Sequence, residues 1–153
     1  MSTEDVTNIK IASGAGGLES VSTMTIIANM YAEFLLKEKV KFAFSQNGNE
    51  ILISAKNLSE DVKDILVKEC GIHRVVRISP YDIQKRRHTS FTMVSINNLS
   101  VPDSHVRTYM FHPFEIIRSH KEDVRYSAED MKKIISGDLR LLATNGKKLE
   151  EIT

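Results

Sequence analysis

The chain has no tryptophan, one cysteine, three prolines and seven glycines among its 153 residues. The lone Cys70 excludes an internal disulfide framework and any zinc site built from several thiolates. So few prolines and glycines leave no long linker or low-complexity tail, and no internal repeat is visible. No apolar run approaches the roughly 18 residues of a membrane-spanning helix, and the polar start Met-Ser-Thr-Glu-Asp does not read as a signal peptide. The expectation is a cytoplasmic protein in a reducing compartment, with no membrane partner. Charge of one sign is also lacking: 21 Lys and Arg stand against 20 Asp and Glu, a net +1 that announces no nucleic-acid partner. What is present is ordinary for a folded domain, 41% hydrophobic and 27% charged, and long enough to bury a core without staples.

Periodicity supplies the elements. Val6 to Ile11 alternates as a short strand, and after the glycine-rich Ser13 to Gly17 the apolar positions Met24, Ile27, Tyr31 and Phe34 recur at helical spacing. That stripe predicts a helix from about Glu19 to Leu36. Val40 to Phe44 and Ile51 to Ala55 alternate around Asn47-Gly48, a hairpin signal. Ser59 is placed to cap a helix from about Glu60 to Glu69, with Gly71 as its left-handed stop. Val75 to Ile78 and Thr89 to Ile96 read as strands joined by a loop of about ten residues. Asn97 to Ser104, with Pro102, reads as a junction. Beyond it come a strand from Val106 to Phe111 and a helix opened by Ser127 and Asp130 and ended by Gly137. A last turn or two through Leu139, Leu141 and Leu142 ends near Asn145-Gly146. Strands and helices mixed through hairpin connections define an α+β fold with a mixed or antiparallel sheet and packed helices.

Most chemical motifs are missing. The Gly14, Gly16 and Gly17 turn lies where a helix N-terminus collects anions, but it lacks the Lys-Ser/Thr of a P-loop and the dinucleotide glycine spacing; a simple tight turn fits better. None of His73, His88, His105, His112 and His120 has a helical partner beside a carboxylate, so no metal site is expected and no cofactor is implied. Cys70 at a helix end reads as a small apolar core residue. One segment departs from the average. Between Gly71 and His88, Arg74, Arg77, Lys85, Arg86 and Arg87 face a single Asp82, so this stretch carries +4 and the remainder −3. Cations for phosphates with Tyr81 and His88 as stacking rings is the composition used on single-stranded RNA. A solvated basic hairpin has the same composition.

The run Gly71-Ile-His-Arg-Val-Val-Arg-Ile-Ser-Pro-Tyr81, followed by Arg86-Arg-His-Thr-Ser-Phe91, resembles the codon-reading segment of bacterial class I peptide chain release factors. The likeness is greatest to the branch that reads UAA and UGA through a Ser-Pro-Phe tripeptide, here Ser79-Pro80-Tyr81. Ile11 to Glu19 with Met30-Tyr31 is similar to the opening of the same domain. Val106-Arg-Thr-Tyr109 and Ile135-Ser-Gly-Asp-Leu139 are similar to the family's segment after its catalytic domain. The resemblance implies a codon-recognition-like domain over residues 1–97, a short junction at 98–105 where relatives carry that catalytic domain, and a C-terminal segment at 106–153 packing on the first part. It also implies roles: Gly16 and Glu19 at the first codon base, Ser79 at the second with Pro80 and Tyr81 shaping the loop, His88 stacking beside it, and Thr89 with Val76 at the third. Lys85, Arg86 and Arg87 are placed for ribosomal RNA phosphates, where charge positions rather than specifies.

Departures from the family bear on output. The hydrolytic Gly-Gly-Gln is absent, the one Gly-Gly pair, Gly16-Gly17, being followed by Leu18. Ile83-Gln84-Lys85 replaces a small glycine-containing turn, and no tryptophan is available for the segment that switches in relatives. The resemblance therefore implies a non-enzymatic protein that binds the small-subunit decoding centre and mRNA of the ribosome and modulates termination, competing with a full-length release factor. Two alternatives stand beside it: an RNA-binding module that protects or regulates a transcript off the ribosome, and an A-site mRNA endonuclease using His88 as base beside Arg86 and Arg87.

Overall fold

The computed structural model describes residues 5–14, 17–144 and 147–148. Strand β1 (Val6–Ser13) leads into helix α1 (Gly17–Lys37), followed by the hairpin β2 (Phe42–Asn47) and β3 (Glu50–Lys56). Helix α2 (Glu60–Val67) precedes a second hairpin, β4 (Gly71–Ile78) and β5 (Arg87–Ile96). Then come β6 (His105–Met110), β7 (Ile116–Ser119), β8 (Val124–Tyr126), α3 (Ala128–Ile135), the single turn α4 (Leu141–Thr144) and the two-residue β9 (Lys147–Lys148). All the described strands join one sheet in the order β2-β3-β1-β5-β4-β6-β7-β8-β9. Every pairing is antiparallel except β4 with β6, so the class is α+β, as the sequence predicts.

Alternation decides which face of the sheet is covered. Ile9 and Ile11 of β1, Ile51, Ile53 and Ala55 of β3, Val75 of β4 and Val94 of β5 are buried against Met24, Ile27, Tyr31 and Phe34 of α1. Met131 and Ile134 of α3 and Val62 and Leu66 of α2 close the same core. A period of 3.6 on the helix meets a period of 2 on the strands, and each apolar stripe finds its partner. On the opposite face Arg87, Thr89 and Phe91 of β5 are exposed, and Met93 and Ser95 are partly so.

Several boundaries differ from the sequence reading for local reasons. The β2–β3 turn is centred on Gly48 and Asn49, because Asn47 pairs with Glu50; Gly48 at φ 62° supplies the positive φ such a turn demands. Ser59 caps α2 through the Val62 N–H, but the helix ends at Val67 and Gly71 is not its stop. Gly71 instead opens β4 at φ 134°, where a Cβ would lie 2.4 Å from the Ser104 carbonyl oxygen. The short β7 and β8 escape sequence reading because Arg118 and Arg125 interrupt their apolar pattern. Asn145-Gly146, the expected end of the last turn, lies outside the described residues. Ser127 caps α3 by accepting the Asp130 N–H at 3.3 Å, and Gly137 follows it at φ 110°. A Cβ on Gly137 would lie 2.8 Å from the Glu33 and Phe34 backbone of α1. Gly137→Ala is therefore expected to destabilise the fold by about 2–3 kcal/mol, through strain and displacement of α1. Urea denaturation measures this, and a change below about 0.5 kcal/mol contradicts it.

Candidate nucleic-acid interface

The cleft between the start of α1 and the β4–β5 loop gathers five of the residues that the resemblance singles out, Glu19, Ser79, Tyr81, Arg86 and His88. The Gly14 N–H donates to the Phe91 carbonyl at 3.0 Å, turning the chain off the sheet, and Gly17 (φ 63°) starts the helix. Leu18 projects into solvent while Glu19, one residue on, folds back onto β4. Arg77 donates from Nε and Nη2 to both Glu19 carboxylate oxygens at 2.9 Å, and from Nη2 to Ser22 Oγ at 2.9 Å. Such a bidentate pair fixes both planes, and the acid also suits the positive end of the helix.

The loop is two β-turns back to back. The Asp82 N–H donates to the Ser79 carbonyl at 3.3 Å across Pro80-Tyr81, with proline at the position whose φ it presets. The Lys85 N–H then donates to the Asp82 carbonyl at 3.0 Å. Ser79 is 1% exposed, and its Oγ accepts the Tyr81 N–H at 3.2 Å, which shapes the first turn. Asp82 holds the second: Oδ1 accepts the Gln84 N–H at 2.9 Å, and Oδ2 accepts Arg86 Nε and His88 Nε2, each at 2.8 Å. Arg86, then His88, holds the Asp82 carboxyl well below the usual carboxylate range. Tyr81, 53% exposed, stands at the rim with the fully projecting Ile83. The open cleft, about 510 Å³, is lined by Leu18, Glu19, Ser79, Tyr81, Asp82, Arg86 and His88.

The remaining sequence-predicted residues lie elsewhere. Pro80 is exposed on the first turn and Lys85 on the second. Val76 and Thr89 are directly paired across β4 and β5. Strand alternation puts them on the face opposite His88, with Val76 buried and Thr89 exposed. Arg87 is exposed on that same opposite face. Gly16 lies outside the described residues. Sequence reasoning missed Arg77, Ser22 and Asp82 as organisers. A signal existed for Asp82, the single acid in a basic stretch, three residues after Ser79 and two before Gln84, where aspartate commonly nucleates turns. Arg77 to Glu19 spans 58 positions and had none.

Residues 2–94 match the PCRF domain family, and the chain belongs to that family. Its relatives are class I release factors of the release factor 2 branch. Peptide chain release factor 2 of Campylobacter jejuni is 40% identical over 96 residues, 58% of this chain and 26% of the relative. That of Wolinella succinogenes is 39% identical over 94 residues, again 58% and 26%. The matched stretch thus spans about a quarter of these relatives' length. The fold is shared with RF2 of Thermus thermophilus at a TM-score of 0.75 and 17% identity, over 91% of this chain and 66% of that one.

Proposed function

We propose that this chain is a release-factor-like protein of the cytoplasm that binds the ribosomal decoding centre, reads mRNA there and does not hydrolyse peptidyl-tRNA. The observation that carries this reading is the cleft in which Glu19, Ser79, Tyr81 and His88 converge on preorganised backbone. A loop already locked by Asp82 and a carboxylate already locked by Arg77 lose little entropy on meeting a base. In this reading His88 and Thr89, neighbours on opposite faces of β5, address two successive bases on either side of the strand. Ser79 acts through the turn it holds as well as through its hydroxyl, which both donates and accepts. Arg86 and Lys85 serve phosphates at the rim. The absence of Gly-Gly-Gln from the sequence, and the eight residues between β5 and β6, favour occupancy of the site without peptide release.

The test is binding to ribosomes carrying a stop or a sense codon in the A site, in competition with a full-length release factor. Stop-codon ribosomes are expected to bind more tightly, with no peptide released. Ser79→Ala with His88→Ala is expected to cost about tenfold or more, the scale of one or two base contacts. Asp82→Asn is expected to weaken binding as well, by freeing Arg86 and His88. Equal affinity for free RNA and for both ribosome complexes would instead favour a module acting off the ribosome.

A further inference from the structure

The sheet face turned away from α1 carries a transverse row of cations. Register sets Phe91, Arg74, Thr108, Arg118 and Arg125 beside one another on the successive strands β5, β4, β6, β7 and β8. Residues directly paired across strands share a face, and strands lie about 4.8 Å apart, so the row spans about 19 Å. Arg74, Thr108, Arg118 and Arg125 line one concavity of about 150 Å³ with Phe114 and Ile116. Phe91 at the β5 end of the row and Phe114 at the rim of the concavity are large rings left in solvent.

This arrangement is costly without a ligand. Arg118 and Arg125 are paired directly across β7 and β8, where like charges oppose folding. The acid facing them is Asp123, 3.9 Å from Arg118 Nη2; Arg74 and Arg125 have no carboxylate partner among the described residues. Arg74 Nε is buried against its surroundings with no hydrogen-bond acceptor, which leaves a guanidinium donor unsatisfied. His120, bonded to Thr108 Oγ1 at 2.7 Å, is a titratable group near the row, with His105 close to it. Burial, and then Arg118, Arg74 and His105, hold its pKa below the usual histidine value. An anion at the row would supply the missing acceptor and relieve the repulsion.

We propose that this row is a second RNA-binding surface, taking the phosphodiester backbone of a single-stranded segment with bases stacked on Phe91 and Phe114. Guanidinium groups match phosphate geometry in pairs, and flanking rings are what an acidic peptide does not need. The row lies across the sheet from the cleft, on the face that Thr89 shares, and its phosphate contacts do not involve Ser79 or His88.

The experiment is fluorescence polarisation of the full chain with a labelled oligouridylate of about 12 nucleotides, between about 50 and 200 mM salt. In the triple variant Arg74→Gln, Arg118→Gln, Arg125→Gln, affinity is expected to fall at least about tenfold. The slope of log affinity against log salt is expected to become shallower by about 2, three phosphates at ~0.7 each. Phe91→Ala is expected to weaken binding with the slope unchanged. Should the triple variant fail to fold, the half-exposed Arg118→Gln alone reads a slope change of about 0.7. Unchanged affinity and slope in a folded variant overturn the proposal. So does displacement of oligouridylate by polyglutamate at equal charge concentration with no effect of Phe91→Ala, which would make this a site for an acidic protein. Stop-codon ribosome binding by Ser79→Ala with His88→Ala reads the cleft, and the oligouridylate salt slope of the arginine variants reads the row, so the two fail or stand separately.

Discussion

Arg107→Met is expected to destabilise the fold by about 3–5 kcal/mol, because it leaves a buried carboxylate without its counter-charge. Arg107 and Glu69 are each 3% exposed and form an ion pair in the core, between β6 and the segment after α2. Their network has one consistent set of donors. Arg107 donates from Nη2 to Glu69 Oε2 and from Nη1 to the Tyr109 hydroxyl at 2.9 Å. The Tyr31 hydroxyl donates to Glu69 Oε1 at 3.0 Å. Three elements, α1, β6 and the α2–β4 connection, are thereby joined through polar atoms that water does not reach. The double variant Glu69→Leu, Arg107→Met is expected to cost less than the sum of its single variants, since no lone charge remains. Urea denaturation of the three variants measures it, and strict additivity would refute a coupled pair.

Stability is expected to fall by about 2 kcal/mol between pH 7 and pH 5 through His73 alone, the slope approaching its limit of about 1.4 kcal/mol per pH unit only near pH 5. His73 is wholly buried, and that burial, followed by the Arg107 charge, pushes its pKa down to about 3. The surroundings dictate the neutral tautomer. Nε2 lies 2.8 Å from the Glu69 carbonyl, which only accepts, so Nε2 carries the proton. Nδ1, 2.8 Å from the Tyr109 hydroxyl, then accepts from it, while that hydroxyl accepts from Arg107. Unfolded histidine takes a proton near pH 6.5, and the folded side chain does not until about pH 3. The contribution is therefore complete above pH 6.5 and is lost as pH falls through this window. His120, whose pKa is also lowered, adds in the same direction, so the measurement is made in wild type and in His120→Asn. A flat profile from pH 7 to pH 5, or an imidazole of His73 titrating near 6.5 in the folded protein by NMR, would contradict this assignment.

The residues of the β4–β5 loop were legible in the sequence because they lie close along it. Ser79 to His88 is one local stretch whose proline, aspartate and basic side chains advertise turns and phosphate contacts by type and spacing alone. The hairpins and α1 were legible for the same reason, their signal repeating every two or every 3.6 residues. What organises the cleft was not. Glu19 drew attention for its place at a helix start, but the Arg77 fork that takes both its oxygens comes from a strand 58 positions on. In the sequence His73 was one of five histidines with no metal-site spacing; Tyr31, Glu69 and Tyr109 close around it only in the fold.

By itself the sequence determined the order of elements from β1 to β6, the α+β class and the local chemistry of the basic loop, and its motifs carried the resemblance to the family. The elements, the class and the loop chemistry follow from side-chain type and short-range periodicity. Tertiary structure alone decided that Thr89 faces away from His88, that Asp82 rather than solvent holds Arg86, and that Arg74, Arg118 and Arg125 form one row. The physical reason is register. Which residues lie side by side across a sheet depends on how distant strands align, and a shift of one residue would send every side chain on a strand to the other face.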